Sequence, residues 1–164
     1  MMKRPQDDHE RRPTLSDDEL DPALSEVSRK VIGCAIEIHR TLGPGFDSSV
    51  YQNALSRDLN AAGVRHALNH TFPVMYQGSE VGRHGFSLYV DERFVVQVMT
   101  DPEEIGGFER TALRAQLRAA DLELGLIINF NRRRLKDGGL VRVLNPDRLD
   151  SLRGHPDAGE GDDE

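Results

Sequence analysis

The chain has few of the residues that stabilise small secreted proteins or anchor membrane proteins. It contains one cysteine, no tryptophan and only 5% aromatic residues among 164. A single cysteine excludes an internal disulfide and is typical of a reducing compartment. No apolar run approaches the roughly 20 residues of a membrane-spanning helix, and the first residues lack the apolar stretch of a signal peptide. We therefore expect a cytoplasmic protein without membrane contact.

Basic residues are outnumbered, but only near the two ends of the chain. The formal net charge is -7. Residues 1–21 carry four basic and seven acidic side chains, and residues 147–164 carry two basic and seven acidic ones. The stretch between them is nearly neutral, with 15 basic and 14 acidic residues. The polar ends have the composition of disordered segments. The composition therefore predicts a disordered acidic N-terminal arm at 1–21, one domain at 22–147 and a disordered acidic C-terminal tail at 148–164.

Hydrophobic periodicity predicts two helices at the start of the domain. Apolar residues recur at steps of three and four over residues 22–42, which is typical of an amphipathic helix. Cys34 falls on the apolar side of this helix, so we expect a buried core thiol. The segment Gly43-Pro-Gly45 ends the helix. A second helix is expected to begin near Asp47 or Ser48, both of which are residue types that cap helices.

The rest of the domain is predicted to contain three strands, a helix and two further strands. The strands are expected at Val64–Tyr76, Glu80–Val90, Phe94–Thr100, Glu123–Phe130 and Leu140–Leu144, and the helix at 107–120. Phe108, Leu113 and Leu117 are expected to face inward on that helix. Pro73 predicts that the first strand lies at a sheet edge or carries a bulge. The order α-α-β-β-β-α-β-β predicts an α/β fold with a mixed β-sheet flanked by helices.

Three segments carry a resemblance to a known family. They are Gly43-Pro-Gly-Phe-Asp-Ser-Ser-Val-Tyr51, the predicted hairpin of Phe86–Val90 and Phe94–Met99, and Leu124-Gly-Leu-Ile-Ile-Asn-Phe130. Together they resemble the small bacterial family named for its GxxExxY motif, which is assigned to the PD-(D/E)xK nuclease superfamily. The resemblance spans roughly residues 25–145 and implies a PD-(D/E)xK nuclease-like core of the order α-β-β-β-α-β.

The resemblance also implies a particular chemistry. Nucleases of this superfamily cleave phosphodiesters with Mg²⁺, a hard cation held by carboxylate oxygens. The family has an Asp and a Glu-x-Lys on the strand pair, a helix Glu in the GxxExxY motif, and a Gln and a Tyr on the helix after the hairpin. The Glu and the Lys are two residues apart because side chains on a strand alternate between faces, so that both reach the same substrate.

In this sequence the frame of the motifs is present, but their functional positions are changed. Gly45 and Tyr51 match the motif, and His39 matches a histidine common in the family's first helix. The remaining positions hold uncharged residues: Ser48 for the helix Glu, Ser87 for the Asp, Gln97 and Met99 for Glu-x-Lys, and Ala112 and Gln116 for the later Gln and Tyr. A one-residue shift would turn the core side of the strands outward. The resemblance therefore implies a vestigial active site with no catalytic residue, metal or cofactor.

The predicted turn at Asp91–Arg93 bears on the geometry of this vestigial site. A three-residue turn is expected to pair Ser87 directly with Gln97, so that both stay on the face of the former site. We expect a catalytically inactive nuclease-fold protein that acts in binding or assembly, through a protein partner or self-association.

Two alternatives stay open. Asp47, Asp101 and Glu37 are candidate relocated acids of a Mg²⁺-dependent nuclease, although each is equally typical of a solvated or capping residue. Alternatively, the chain is a non-cleaving nucleic-acid-binding module. Its candidate contacts to phosphate or to a partner are four basic residues, Arg132, Arg133, Arg134 and Lys136. A near-neutral domain supports nucleic-acid binding only weakly.

Two histidines are the candidates for a zinc site. His66 and His70 are four residues apart in a predicted strand, so they are expected to share one face. No Cys, Asp or Glu lies near them in the sequence to complete a ligand set. We therefore predict no metal there.

Overall fold

The computed structural model describes residues 20–148 of the chain. These residues form three α-helices, α1 (Pro22–Leu42), α2 (Ser48–Ala61) and α3 (Gly107–Ala120), and five strands, β1 (His66–Tyr76), β2 (Ser79–Val90), β3 (Phe94–Met99), β4 (Leu124–Asn129) and β5 (Leu140–Leu144). A short 3₁₀ turn, Pro146–Arg148, follows. The predicted order of elements is confirmed. None of the helices in the described part is long and apolar enough to cross a membrane.

All five strands belong to one mixed sheet in the order β1-β2-β3-β4-β5. β3 and β4 run parallel, beginning with the pair Phe94–Leu124, and the other neighbours are antiparallel. α3 supplies the crossover that a parallel pair requires. β1 lies at an edge, as Pro73 predicts, and its register with β2 shifts between Val74 and Met75.

Helices cover both faces of the sheet. α1 and α2 pack on one face, against a cluster that includes Leu88, Val96 and Leu126. α3 covers the other face, and the cluster beneath it contains Phe86, Val95, Ile105, Leu113, Leu117, Leu122, Ile127 and Val143. Every residue of β4 is buried, which confirms the prediction of a strand covered on both sides.

Two residues that precede the predicted boundary at residue 22 contact the domain. Leu20 is 2% exposed and belongs to the cluster under α1 and α2. Asp21 caps α1, because its carboxylate accepts the Ala23 N–H at 3.3 Å, and it also pairs with Arg93 at 2.6 Å. Arg93 contacts Glu123 at 2.8 Å as well. The start of the domain is therefore tied to the β2–β3 turn and to the start of β4.

The other end of the domain is held in a similar way. Arg148 pairs with Asp121 at 3.0 Å and with Glu123 at 3.6 Å, so residue 148 also contacts the domain. The disorder predicted for the arm and the tail concerns residues 1–19 and 149–164, which lie outside the described residues.

Phe108 does not face inward as predicted, since its side chain is 80% exposed. The buried residues of α3 are Leu113 and Leu117, four apart on one side of the helix. Phe108 is five residues before Leu113, which at about 100° per residue turns it about 140° away from that side. The helical period therefore overrides the apolar character of Phe108.

Cys34 is half-buried and not the fully buried core thiol that was expected. The buried side of α1 is centred on Val31, Ala35 and Ile38, and Cys34 packs at its margin. Burial raises the pKa of the Cys34 thiol, and the nearby Asp58 carboxylate raises it further. A raised pKa favours the protonated form, so Cys34 is not an activated nucleophile.

The side-chain alternation of β1 and β2 reverses near Asn69 and Ser87. Asn69 has a positive φ of 52°, and the pairing between the two strands passes over it and over Ser87. As a result Phe86 and Leu88, two residues apart, pack on opposite faces of the sheet.

This reversal means that the predicted common face of His66 and His70 is wrong. His66 lies beside α2, with its Nε2 atom 2.7 Å from Ser56 Oγ. His70 contacts the rings of Phe72 and Tyr89, both at a centroid distance of 4.9 Å, and those two rings pack in the cluster under α3.

Candidate functional site

β3 and α3 together form a pocket of about 210 Å³. Gln97 and Met99 are two residues apart on β3 and so point to the same face. Ala112 and Gln116 are four residues apart on α3 and so lie on one side of that helix. All four line the pocket. The structure therefore brings together four of the six positions of the predicted vestigial site.

Ser87 does not line this pocket, and its hydroxyl group serves the sheet instead. The predicted three-residue turn between β2 and β3 is observed, but their ladder ends at the pair Leu88–Val96. The next pair in that register, Ser87 with Gln97, is not part of the ladder. Ser87 Oγ accepts the Val98 N–H at 2.9 Å. The side chain of Ser87 thus replaces a backbone acceptor at the point where the ladder stops.

Gln52 of α2 holds the same segment from the other side. Its Nε2 atom donates to the Ser87 carbonyl oxygen at 3.3 Å and to Asn69 Oδ1 at 3.0 Å. It therefore occupies the gap where the β1–β2 pairing is interrupted. This role was not anticipated from the sequence, because the residue type of Gln52 and its place on a helix do not show which groups it contacts.

The lining of the Gln97 pocket is mostly uncharged. Gln97 contributes a neutral amide, whose Oε1 atom is buried without a hydrogen-bond partner in the described part of the chain. Glu109 and His84 are the titratable side chains on the lining. The Glu109 carboxylate accepts the Gly106 N–H at 2.8 Å, at the start of α3. Glu109 was not anticipated from the sequence, although a Glu three residues after an N-cap position is typical of helix capping.

Ser48 lies apart from the pocket. It is the first residue of α2, and α2 packs on the face of the sheet opposite to α3. Asp47 occupies the N-cap position but makes no side-chain capping hydrogen bond. The structure therefore does not bring Ser48 together with the four residues of the pocket.

Tyr51 and Gly45, which match the GxxExxY motif, organise the turn between α1 and α2. The Tyr51 hydroxyl group donates to the Gly43 carbonyl oxygen and accepts the Phe46 N–H at 3.2 Å. Gly45 lies between them with a φ of 115°, a conformation that favours glycine. The Tyr51 ring stacks on Phe130 at a centroid distance of 4.3 Å. The turn is thereby fixed against the end of β4.

His39 fastens the loop that follows β4, which we call the basic loop (residues 131–139). Its Nε2 atom lies 2.7 Å from the Arg132 carbonyl oxygen. A carbonyl oxygen only accepts hydrogen bonds, so the Nε2 atom carries the proton. The loop contains the four predicted basic contact residues, Arg132, Arg133, Arg134 and Lys136.

The three candidate relocated acids do not converge on the Gln97 pocket. Glu37 pairs with Arg40 at 3.0 Å on the exposed side of α1. Asp101 Oδ1 accepts the Glu103 N–H at 3.1 Å, and Asp47 precedes α2. None of them lines the pocket. Within residues 20–148, no three His, Cys, Asp or Glu side chains are grouped as a metal site would require.

Asn129, at the end of β4, is a buried polar residue that sequence reasoning missed. It is 0% exposed. Its amide nitrogen donates to the carbonyl oxygens of Asp101 and Glu103, both at 2.9 Å, and its Oδ1 atom accepts the N–H groups of Asp101 and Asn131, both at 3.1 Å. All its hydrogen-bonding capacity is thus used in holding two loops, which is a structural role. The signal in the sequence is an Asn inside a continuous apolar run.

A five-stranded mixed sheet with helices on both faces, and a pocket where β3 meets the crossover helix, is an α/β arrangement consistent with a nuclease-like fold. A family model for the PD-(D/E)XK nuclease superfamily matches residues 25–143. The chain therefore belongs to the PD-(D/E)XK nuclease superfamily, and the order of its helices and strands agrees with that assignment. No curated protein and no solved structure matches the chain.

Proposed function

We propose that this chain is a degenerate member of the GxxExxY family and acts as a non-enzymatic protein in binding or assembly. One observation carries the proposal. The positions that match the family's glutamate and lysine on β3, and two positions on α3, are occupied by Gln97, Met99, Ala112 and Gln116, which together line one pocket. None of these four side chains can hold a negative charge or transfer a proton at neutral pH.

The donor set of this pocket does not fit Mg²⁺. That ion takes oxygen ligands in near-octahedral geometry and is usually held by one or two carboxylates. Gln97 offers a neutral oxygen, and the thioether of Met99 is a soft ligand. The carboxylate of Glu109 already caps α3. We accordingly propose that the protein has no resident metal or cofactor.

The competing hypothesis, a nuclease with relocated acids, is not favoured by the same geometry. Two or more carboxylates would have to converge on one metal. Asp47, Asp101 and Glu37 instead lie in a cap position, a turn and an exposed ion pair.

A protein that acts without chemistry must act through its surface, and the β1–β2 hairpin offers one. β2 has 12 residues, of which only the last three pair with β3, so the hairpin extends past the end of β3. Met75, Tyr76 and Val81 on this extension are 55%, 64% and 62% exposed. Exposed apolar side chains beside a free strand edge are typical of protein contacts. We propose this hairpin as the contact for a protein partner or for self-association.

The loss of the metal site can be tested by calorimetric titration with Mn²⁺. We expect no saturable binding to the natural chain. The variant Ser87→Asp/Gln97→Glu introduces carboxylates at the positions that match the family's Asp and Glu, and we expect it to bind Mn²⁺. Because Ser87 is buried and its hydroxyl group is used by the sheet, the single variant Gln97→Glu is measured beside it, with melting temperatures for all chains.

The matched control is Ser49→Asp/Gln77→Glu. It makes the same two chemical changes at exposed positions in separate elements, and we expect no binding. Tight Mn²⁺ binding by the natural chain would overturn the proposal, and a nuclease screen would then follow. If both folded carboxylate variants fail to bind Mn²⁺, the assignment of these positions to a former metal site is rejected.

A further inference from the structure

We propose that a second pocket, between the end of α1 and the basic loop, binds a phosphoryl group. This pocket has a volume of about 500 Å³. Cations line it from two sides: Arg40 from α1, and Arg133, Arg134 and Lys136 from the basic loop. It shares no lining residue with the Gln97 pocket. The inference therefore goes beyond the proposed loss of catalysis and does not depend on it.

Among residues 20–148 the three loop cations have no carboxylate partner, whereas six other arginines of that range do. Ion pairs within residues 20–148 include Arg40–Glu37, Arg65–Asp91, Arg83–Glu80, Arg93–Glu123, Arg132–Glu104 and Arg148–Asp121. Arg133, Arg134 and Lys136 form no ion pair with a carboxylate of that part of the chain, and no Asp or Glu lines the pocket. Like charges that converge without a counter-ion attract an anion.

The backbone of the basic loop is fixed, so these cations project from a defined frame. Leu135 is 3% exposed and anchors the loop in the core. The Gly139 N–H donates to the Leu135 carbonyl oxygen at 2.9 Å, and the Asn129 N–H donates to the Gly139 carbonyl oxygen at 2.8 Å. His39 holds the Arg132 carbonyl oxygen at the other end of the loop. A binding frame that is already ordered loses less entropy when a ligand arrives.

A phosphoryl group suits this arrangement because its charge and shape match several cations at once. Guanidinium groups contact phosphate oxygens in a bidentate fashion, and lysine adds a mobile point charge. Arg40 already pairs with Glu37 and lies in the last turn of α1, where a cation also offsets the negative end of the helix dipole. The binding is therefore assigned mainly to the three loop cations.

Arg133 and Arg134 also line a neighbouring pocket, which extends the proposed site. This pocket has a volume of about 420 Å³ and is lined by Arg133, Arg134 and Asp137. Successive phosphates of a polynucleotide could contact both sides of the arginine pair, whereas a free nucleotide or pyrophosphate would occupy one side. Both ligands present the same chemistry, and the experiment separates them.

The test measures binding of a short fluorescein-labelled oligonucleotide by polarisation over a series of salt concentrations, with inorganic pyrophosphate as a competitor. In the variant Arg133→Gln/Arg134→Gln we expect at least about a tenfold loss of affinity at low salt. We also expect the slope of log K against log salt to fall by about two, one for each removed cation.

The control variant is Arg29→Gln/Lys30→Gln. It removes the same charge from two exposed residues of α1 that do not line the pocket, and its slope is expected to stay unchanged. Competition by pyrophosphate at an affinity similar to that of the oligonucleotide would support a single phosphoryl compound as the ligand. Much tighter oligonucleotide binding would support a polynucleotide backbone.

Two results would overturn the inference: no binding of either probe at low salt, or an equal loss of affinity in both double variants. The second result would mean that cations anywhere on the surface of the domain attract the probe, and that the pocket has no particular role. The Mn²⁺ titration reports on the Gln97 pocket, so each proposal can fail while the other stands.

Discussion

Small differences in position decide the chemistry of single side chains in this protein. Cys34 directly precedes Ala35, which is fully buried, and the helical rotation of about 100° between them leaves the thiol at the margin of the core. Burial and then the Asp58 carboxylate raise the pKa of this thiol. Gln97 is a different case: its amide oxygen is fully buried and has no hydrogen-bond partner among the described residues. A carboxylate there, without a cation, would cost more free energy still.

We expect the Cys34 thiol to react slowly with an alkylating reagent near neutral pH. The thiolate is the reactive form, and a raised pKa lowers its population. The alkylation rate should rise with pH and reach half of its maximum at a higher pH in the folded chain than in the chain unfolded by urea. Timed alkylation followed by mass spectrometry gives both curves. Equal midpoints would contradict the environment described for Cys34, because steric shielding alone lowers the rate without moving the midpoint.

Two glycines, one in α1 and one in the basic loop, differ in the space available for a side chain. A Cβ atom at Gly33, on the exposed side of α1, would have no neighbour within 4 Å. A Cβ atom at Gly139 would lie 2.8 Å from the Leu135 carbonyl oxygen and 2.9 Å from the Asn129 carbonyl oxygen. Both obstacles are backbone atoms in a hydrogen-bonded loop, so they cannot move aside as the end of a side chain can.

The same substitution should therefore have opposite effects at these two positions. Gly33→Ala is expected to raise the free energy of unfolding by about 0.5–1 kcal/mol, because alanine restricts the unfolded chain and favours the helix. Gly139→Ala is expected to lower it by about 1–3 kcal/mol through crowding in the loop. Urea denaturation followed by circular dichroism measures both. A Gly139→Ala chain as stable as the natural one would show that the basic loop is not closely packed.

The helices and strands whose apolar residues recur with one constant period could be predicted from the sequence. α1 follows the helical period, β4 is a short apolar run, and alternation correctly places Gln97 and Met99 on one face. The failures have physical causes that are not periodic. The positive φ of Asn69 reverses the faces of a strand pair, and the distance of Ser48 from the pocket depends on which face of the sheet α2 covers.

In the molecule as a whole, the pocket at the basic loop is formed by α1 and that loop, whereas the Gln97 pocket shares His84 of β2 with the hairpin. The pocket proposed to bind a phosphoryl group lies at the end of α1, and the Gln97 pocket lies between β3 and α3. The β1–β2 hairpin extends past β3 and exposes apolar side chains. The lining of the pocket at the basic loop includes no residue of the Gln97 pocket or of the hairpin.

We expect the hairpin to mediate self-association, measured by sedimentation velocity over a concentration series. The sedimentation coefficient of the natural chain should rise with concentration. The variant Tyr76→Ser/Val81→Ser should remove this rise, because it removes exposed apolar area from the hairpin. The variant Phe108→Ser/Val50→Ser removes an aromatic residue and a valine that are also exposed, 80% and 38%, and should leave the rise intact. A natural chain that stays monomeric would rule out self-association and leave a different protein as the partner.

The parallel pairing of β3 with β4 has a kinetic consequence. β1, β2 and β3 are joined by short turns, and so can pair soon after the chain begins to fold. Phe94 meets Leu124 only after the intervening residues, including α3, have closed a loop. The entropy of closing that loop is lost before the contacts of the central strands compensate for it. We therefore expect the closure of this loop at the centre of the sheet to limit the folding rate of the domain, and the β1–β2 hairpin at its edge to form earlier.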